Sequence, residues 1–208
     1  MIHIFELKNK FSQIFINDTK DTKELILKIA MQVFAKYGFR KTSINDIANA
    51  AFRSKGSVHY YFKNKNELFL KVVEKEFQLL HTELEIVAKS DLNGKMKFTN
   101  YIITRMKILG KLSYIYDAIK NGNMDYAYFV EKIRKKFDDE EISLIKGIIS
   151  FGIINGEFEK SDNNQIAFVI VSALKGLEEP LMVNTKCNEC DINLDYMIHV
   201  LLKGIEKR

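Results

Sequence analysis

The 208-residue sequence has one proline, Pro180, no tryptophan, ten glycines and two cysteines. So few helix breakers favour long helices and exclude Pro-rich linkers and low-complexity repeats. Two cysteines cannot make a secreted disulfide framework. Cys187-Asn-Glu-Cys190 has C-x-x-C spacing, but a zinc site needs four ligands and only His199 lies nearby, and a redox motif needs a strand–helix context. Incidental thiols are the plain reading, and a thiol-sensing switch through Cys187 and Cys190 is the alternative. Long apolar runs are also missing. The longest, Ile166 to Leu174, falls far short of the roughly 20 residues that span a bilayer. Glu6, Lys8 and Lys10 interrupt the start of the chain, where a signal peptide needs an unbroken apolar segment. A cytoplasmic, nucleoid-associated protein with no membrane contact is expected. G-x-S-x-G, H-E-x-x-H, Walker A and G-x-G-x-x-G are all absent, the four histidines are scattered, and Asp138–Asp139–Glu140–Glu141 reads as a solvated helix face. No enzyme, metal site or cofactor is expected.

What the sequence does have is a real core and a concentrated charge. Hydrophobic residues make up 47 %, enough to exclude a disordered chain. Net charge is only +5, yet residues 20–65 hold ten Lys/Arg against three Asp/Glu, a local +7. Residues 1–19 are neutral, so the rest of the chain is slightly acidic. That pattern is the electrostatic footprint of a segment that meets a polyanion.

Residues 1–20 are weakly patterned and read as an N-terminal extension. Regular periodicity begins at Asp21. Ile26, Ile29, Ala30, Val33, Phe34 and Tyr37 mark one face of a helix, which Gly38 should end. Ser43 with Asp46 and Ser54 with its following turn are N-cap signals for two short helices. Their inner faces are Ile44, Ile47, Ala48 and Ala51, then Val58, Tyr61 and Phe62. Asn64 with Glu67 opens a long helix to about Ser90. Short helix, tight turn, short helix is the helix-turn-helix shape. Further helical periodicity covers about 95–110, 112–120 and 125–156, the last with a bend near Asp138–Asp139, then stripes at 166–177 and 194–205. No strand-like alternation appears, so the chain reads as all-α.

The stretch SKGSVHYYFKNK, Ser54 to Lys65, carries the chemistry. With Val58, Tyr61 and Phe62 turned inward, Gly56, His59, Tyr60 and Lys63 point outward. This set suits a helix in a DNA major groove. Gly56 permits close backbone approach, Ser57 and Tyr60 offer hydroxyls to phosphates, and Lys55, Lys63 and Lys65 offer charge-assisted contacts. His59 can reach a phosphate or a base edge. Helix N-termini near Thr42/Ser43 and near Lys65 add backbone donors.

The run TSINDIANAAFRSKGSVHYYFKNKNELF resembles the DNA-binding domain of the TetR (tetracycline repressor)/AcrR family of bacterial regulators. That family's pattern is approximately T-x-x-x-I-A-x-x-A-G-V-S-x-G-T-L-Y-x-Y-F-x-x-K-x-x-L. Thr42 or Ser43, Ile47, Ala48, Ala51, Ser54, Gly56, Ser57, Val58, Tyr61, Phe62, Lys65 and Leu68 match or nearly match it. The resemblance covers about residues 21–70. It departs at Phe52, where the turn usually has Gly, at Arg53, which replaces a small apolar residue and can reach a phosphate, and at His59, where Tyr is common. The residues' own chemistry and the resemblance together make Thr42, Ser43, Arg53, Ser54, Lys55, Gly56, Ser57, His59, Tyr60, Tyr61, Lys63 and Lys65 the candidate DNA contacts. The resemblance further implies a three-helix helix-turn-helix domain over 21–65 and a helical effector-binding and dimerisation domain over 66–208.

The residues permit that second domain independently. The stripes Ile166, Ile170, Leu174, Leu177 and Leu194, Ile198, Leu201, Leu202 fit a bundle across a two-fold axis, with Phe168 and Val171 adding apolar surface off the stripe. Tyr101, Met106, Phe129, Ile133, Phe137, Phe151 and Phe168, with Phe98 and Tyr126, are candidates to line a cavity for an apolar or amphipathic small-molecule effector. The expected partners are thus a double-stranded, near-palindromic DNA operator, an effector and a second copy of the chain. A ligand-independent architectural DNA-binding protein is the alternative.

Overall fold

The structure is a computed structural model and describes residues 22–112, 114, 115, 118, 124–177 and 193–207. Among these are eight helices and no strand: α1 Thr22–Lys41, α2 Ile44–Ala50, α3 Lys55–Tyr61, α4 Lys65–Lys89, α5 Gly94–Lys111, α6 Met124–Ile154, α7 Asn163–Gly176 and α8 Leu194–Ile205. The chain divides into two compact units, with the boundary at Val72/Val73. The N-terminal extension and the C-x-x-C segment lie outside the described residues.

In the first unit α1, α2 and α3 pack on one another. Ile26, Ile29, Ala30 and Phe34 are buried as their spacing predicts, and Leu27 joins them; Val33 is half-buried and Tyr37 is exposed. Just after Tyr37, Gly38 with a φ of 76° breaks the helical phase inside α1. Only a residue without Cβ takes that conformation at little cost. The phase change swings Phe39 inward, and its ring lies 5.9 Å from Phe34 and 4.7 Å from Phe69 at the start of α4. Val58, Phe62, Leu68 and Phe69 complete this core.

In the second unit α6 packs against α5 and α7, and α8 against α5. The expected bend at Asp138–Asp139 is absent, and α6 runs unbroken from Met124 to Ile154. Two glycines allow the closest approach. A Cβ on Gly94 would sit 2.8 Å from the Gly152 Cα, and one on Gly152 would enter the Phe158 ring. Glu157 then accepts hydrogen bonds from the N–H groups of Gly94 (2.8 Å) and Lys95 (3.1 Å), capping α5. The end of α8 is tied to the same loop by Glu159 N–H to Ile205 O and Lys207 N–H to Glu157 O.

The turn between α2 and α3 holds the one non-glycine residue with positive φ among those described, Phe52 at 53°. Its ring is 59 % exposed, so little packing offsets the strain. Phe52→Gly should raise the unfolding free energy of the first unit by about 1 kcal/mol. Chemical denaturation of both forms checks this, and an unchanged or lower midpoint would contradict it.

Candidate nucleic-acid interface

The two short helices begin at built caps. Ser43 Oγ accepts from the Asp46 N–H (3.2 Å), while Asp46 Oδ2 accepts from the Ser43 N–H (2.8 Å) and hydroxyl (2.7 Å). Ser54 Oγ accepts from the Ser57 N–H at 3.0 Å. At α4, Asn64 Oδ1 accepts from the Glu67 N–H and Glu67 Oε2 from the Lys63 N–H, both at 2.9 Å. The caps expected at Ser43, Ser54 and Asn64 are all present. They also occupy backbone donors that the sequence reading had offered to phosphates.

The outer face of α3 matches its helical register. Lys55, Gly56, His59 and Tyr60 are exposed, as are Arg53 and Ser54 before it; α3 ends at Tyr61 with Phe62 extended, so Lys63 is exposed beyond the helix and not on its outer face as the spacing predicts. Tyr60 is 82 % exposed, with its ring edge-on to Tyr61 at 4.9 Å. Ser57 and Tyr61 are half-buried. Arg53 Nη1 donates to Phe52 O at 3.2 Å. Gly56 is the informative residue. A Cβ there would meet only Ser54 Oγ, at an ordinary 3.8 Å. Glycine inside a helix costs about 1 kcal/mol relative to alanine, and nothing inside the fold requires it. Open space over a bare backbone is what a closely approaching partner needs.

Two assigned contacts are placed differently. Thr42 is buried and its hydroxyl donates to Gly38 O at 2.8 Å, closing the end of α1 instead of facing outward. Lys65 is half-buried. Its ammonium donates to Phe39 O and Thr42 O, each at 2.9 Å, and lies 4.2 Å from the centre of the Phe39 ring. Burial lowers its pKa. Phe39 as a platform for Lys65 was not legible, because it lies off the stripe that precedes Gly38.

In the second unit the expected aromatic pocket is not assembled as such. Tyr101 is fully buried core, Met106 and Ile133 are half-buried, and Phe151 and Phe168 are exposed. The side chains of Tyr126 and Phe129 lie outside the described residues. Lys97 Nζ sits 4.0 Å over the Phe151 ring. Phe137, stacked 5.6 Å from Phe77, does line a cavity of about 10 Å³, room for about one water. Charge shares that lining: Arg105 holds Glu141 through Nε and Nη2 at 2.9–3.2 Å, with both side chains buried. Beside Glu141 lies the buried Tyr101 hydroxyl, and burial, then the Glu141 charge, raises its pKa well above the usual value. The hydrophobic periodicity could not reveal an ion pair 36 residues apart in sequence.

The dimer stripes divide between buried and half-buried positions. Ile170, Leu174 and Ile198 are buried within their own unit, and Ile166, Leu177, Leu194, Leu201 and Leu202 are half-buried. Val171 is buried too, whereas Phe168 and Val169 on α7 and Tyr196 and Val200 on α8 are at least half exposed.

The family model described as bacterial regulatory proteins, tetR family, matches residues 26–72, the segment that carries all three helices of the first unit. The HTH-type transcriptional regulator QacR of Staphylococcus aureus is 27 % identical over 74 % of this chain and 83 % of its own. The crystal structure of a transcriptional regulator from Cytophaga hutchinsonii superposes with a TM-score of 0.76 at 26 % identity, over 88 % of this chain and 98 % of that one. By this match residues 26–72 form a TetR-family helix-turn-helix, and over most of its length the all-α chain resembles DNA-binding transcriptional regulators. The fold alone is shared with FadR of Bacillus subtilis, solved in complex with stearoyl-CoA, at 19 % identity and a TM-score of 0.61 over 86 % of this chain and 95 % of that one. No helix among the described residues is long and apolar enough to cross a membrane.

The buried ion pair makes a stability prediction for this chain. Glu141→Ala leaves Arg105 charged in the interior and should cost the second unit about 3–5 kcal/mol. Thermal unfolding followed by circular dichroism reads this directly. A loss below about 1 kcal/mol would mean that water or another partner compensates the Arg105 charge.

Proposed function

We propose that this chain is a TetR-family regulator that represses transcription by binding a near-palindromic operator as a homodimer, and that a small amphipathic effector releases it. The observation that carries the DNA half is the outer face of α3, where exposed Lys55, His59 and Tyr60 flank a glycine that the fold does not need, with exposed Lys63 just beyond the helix. In this reading residues 21–65 meet DNA and residues 66–208 bind the effector and the second copy, in the cytoplasm at the nucleoid. Two reading helices about one helical turn apart then match two half-sites.

Exposed Phe168, Val169, Tyr196 and Val200 support the dimer better than the predicted stripes do. Apolar side chains on two helices are most simply covered by the same helices of a partner. An amphipathic effector is favoured by the mixed lining of the cavity, with Phe77 and Phe137 beside the Arg105–Glu141 pair. The acyl-CoA held by the FadR neighbour is of that chemical kind. A space of about 10 Å³ holds no such molecule, so the helices must part to admit it. An effector that binds the parted arrangement and weakens DNA affinity acts by linkage.

Selection of bound sequences from a random duplex pool, at stated salt, tests the reading. A near-palindromic motif is expected. Tight binding without a motif would instead mark an architectural protein, and no binding at low salt would refute the proposal. For the dimer, Val169→Glu should give a monomer by sedimentation and lose at least tenfold in operator affinity. A dimer of undiminished stability would move the interface elsewhere.

A further inference from the structure

Lys65 stands where its sequence position assigns a phosphate contact, but its ammonium is directed into the protein. Two of its three N–H donors go to Phe39 O and Thr42 O at 2.9 Å, and the Phe39 ring lies 4.2 Å below. Those carbonyls lie where α1 ends, a place that favours a cation; Phe39 O also accepts from the Thr42 N–H at 3.4 Å. Gly38 presents them. Its φ of 76° turns the chain, and the Thr42 hydroxyl holds the turn through Gly38 O at 2.8 Å. The ring is fixed in turn by Phe34 and Phe69, themselves in edge contact at 5.3 Å.

The Lys65–Thr42 bond joins residues 23 apart, and everything between them is α2, the Phe52 turn, α3 and the step to α4. The Lys65 side chain therefore ties together the two ends of the helix-turn-helix, beside the packing of Phe39 on Phe69. The caps fix each helix locally. The angle that α3 presents depends also on where the loop ends sit.

We infer that Lys65 is a positioning residue for operator recognition: it pins the ends of the helix-turn-helix loop and spends its charge on carbonyls and an aromatic face, not on a phosphate. This rests on the proposed operator reading above and adds a role to it. The two roles differ in what they predict. A lost phosphate contact weakens binding to all sequences alike and lowers the slope of log K against log salt by about one. A lost positioning contact weakens the operator selectively and leaves the slope unchanged, because the same phosphates are still neutralised.

The test compares wild type, Lys65→Met and Lys63→Ala on the selected operator and on random duplex, across salt, at a temperature where circular dichroism shows each folded. Methionine keeps the aliphatic stem and removes the ammonium. Lys65→Met is expected to lose about tenfold or more on the operator, to stay within about twofold on random DNA and to keep the wild-type slope. Exposed Lys63 provides the contrast, with an equal loss on both DNAs and a slope lower by about one. A Lys65→Met variant that behaves like Lys63→Ala, or that binds the operator as wild type does, overturns the inference. If Lys65→Met does not fold, Lys65→Arg replaces it. A guanidinium serves a phosphate at least as well as an ammonium, so unchanged operator binding overturns the inference and operator-selective loss supports it. Wild-type protein that binds neither DNA refutes the operator reading itself, whereas any of these variant outcomes beside a binding wild type concerns Lys65 alone.

Discussion

A cation held between two carbonyls at the end of one helix sets the form of the DNA-reading unit. Lys65 can occupy that place because Gly38 breaks the phase of α1 and brings Phe39 and Thr42 to it. Remove the break and Phe39 would continue the outer face of α1, leaving the ammonium without its ring. The aromatic contacts among Phe34, Phe39 and Phe69 then fasten α1 to the start of α4. Each piece is individually modest. Together they define the frame inside which α2 and α3 are capped, and the exposed face of α3 is what that frame presents.

The second unit is organised on a different principle. Its closest packing comes from paired glycines, Gly94 against Gly152, with the Phe158 ring filling the space that a Cβ at Gly152 would take. Glu157, one residue away, caps α5, and the end of α8 returns to the same loop. Farther along α5 and α6 lies the Arg105–Glu141 pair. Such a pair adds little net stability over an apolar core but is costly to break. A polar pair retained beside Phe77 and Phe137 therefore suits a place where ligand chemistry matters more than packing.

The fold was legible where local signals act. Three N-caps, helical periodicity and the near-absence of proline lead to the helices that are found, and the resemblance over residues 21–70 coincides with the segment that the family model matches. The outward set Gly56, His59 and Tyr60 follows from register alone, whereas α3 stops short of Lys63. What was not legible depends on long-range partners. A lysine in a basic run reads as a phosphate ligand until two distant carbonyls are seen to hold it. Ile170, Leu174 and Ile198 are apolar at helical spacing whether they face their own core or a partner, and sequence pattern cannot separate the two. Arg105 and Glu141 sit on different helices, so no periodicity links them.

Because the ends of the loop are held by a contact outside α2 and α3, the stretch from Ser43 to Asn64 behaves as a replaceable cartridge. Its exposed residues can drift without rebuilding the seat into which it fits, provided Gly38, Phe39, Lys65 and the buried Ile44, Ile47, Ala48, Val58 and Phe62 stay. A regulator built this way can acquire a new target site by changing one short cartridge while the rest of the chain keeps the interactions that fold it.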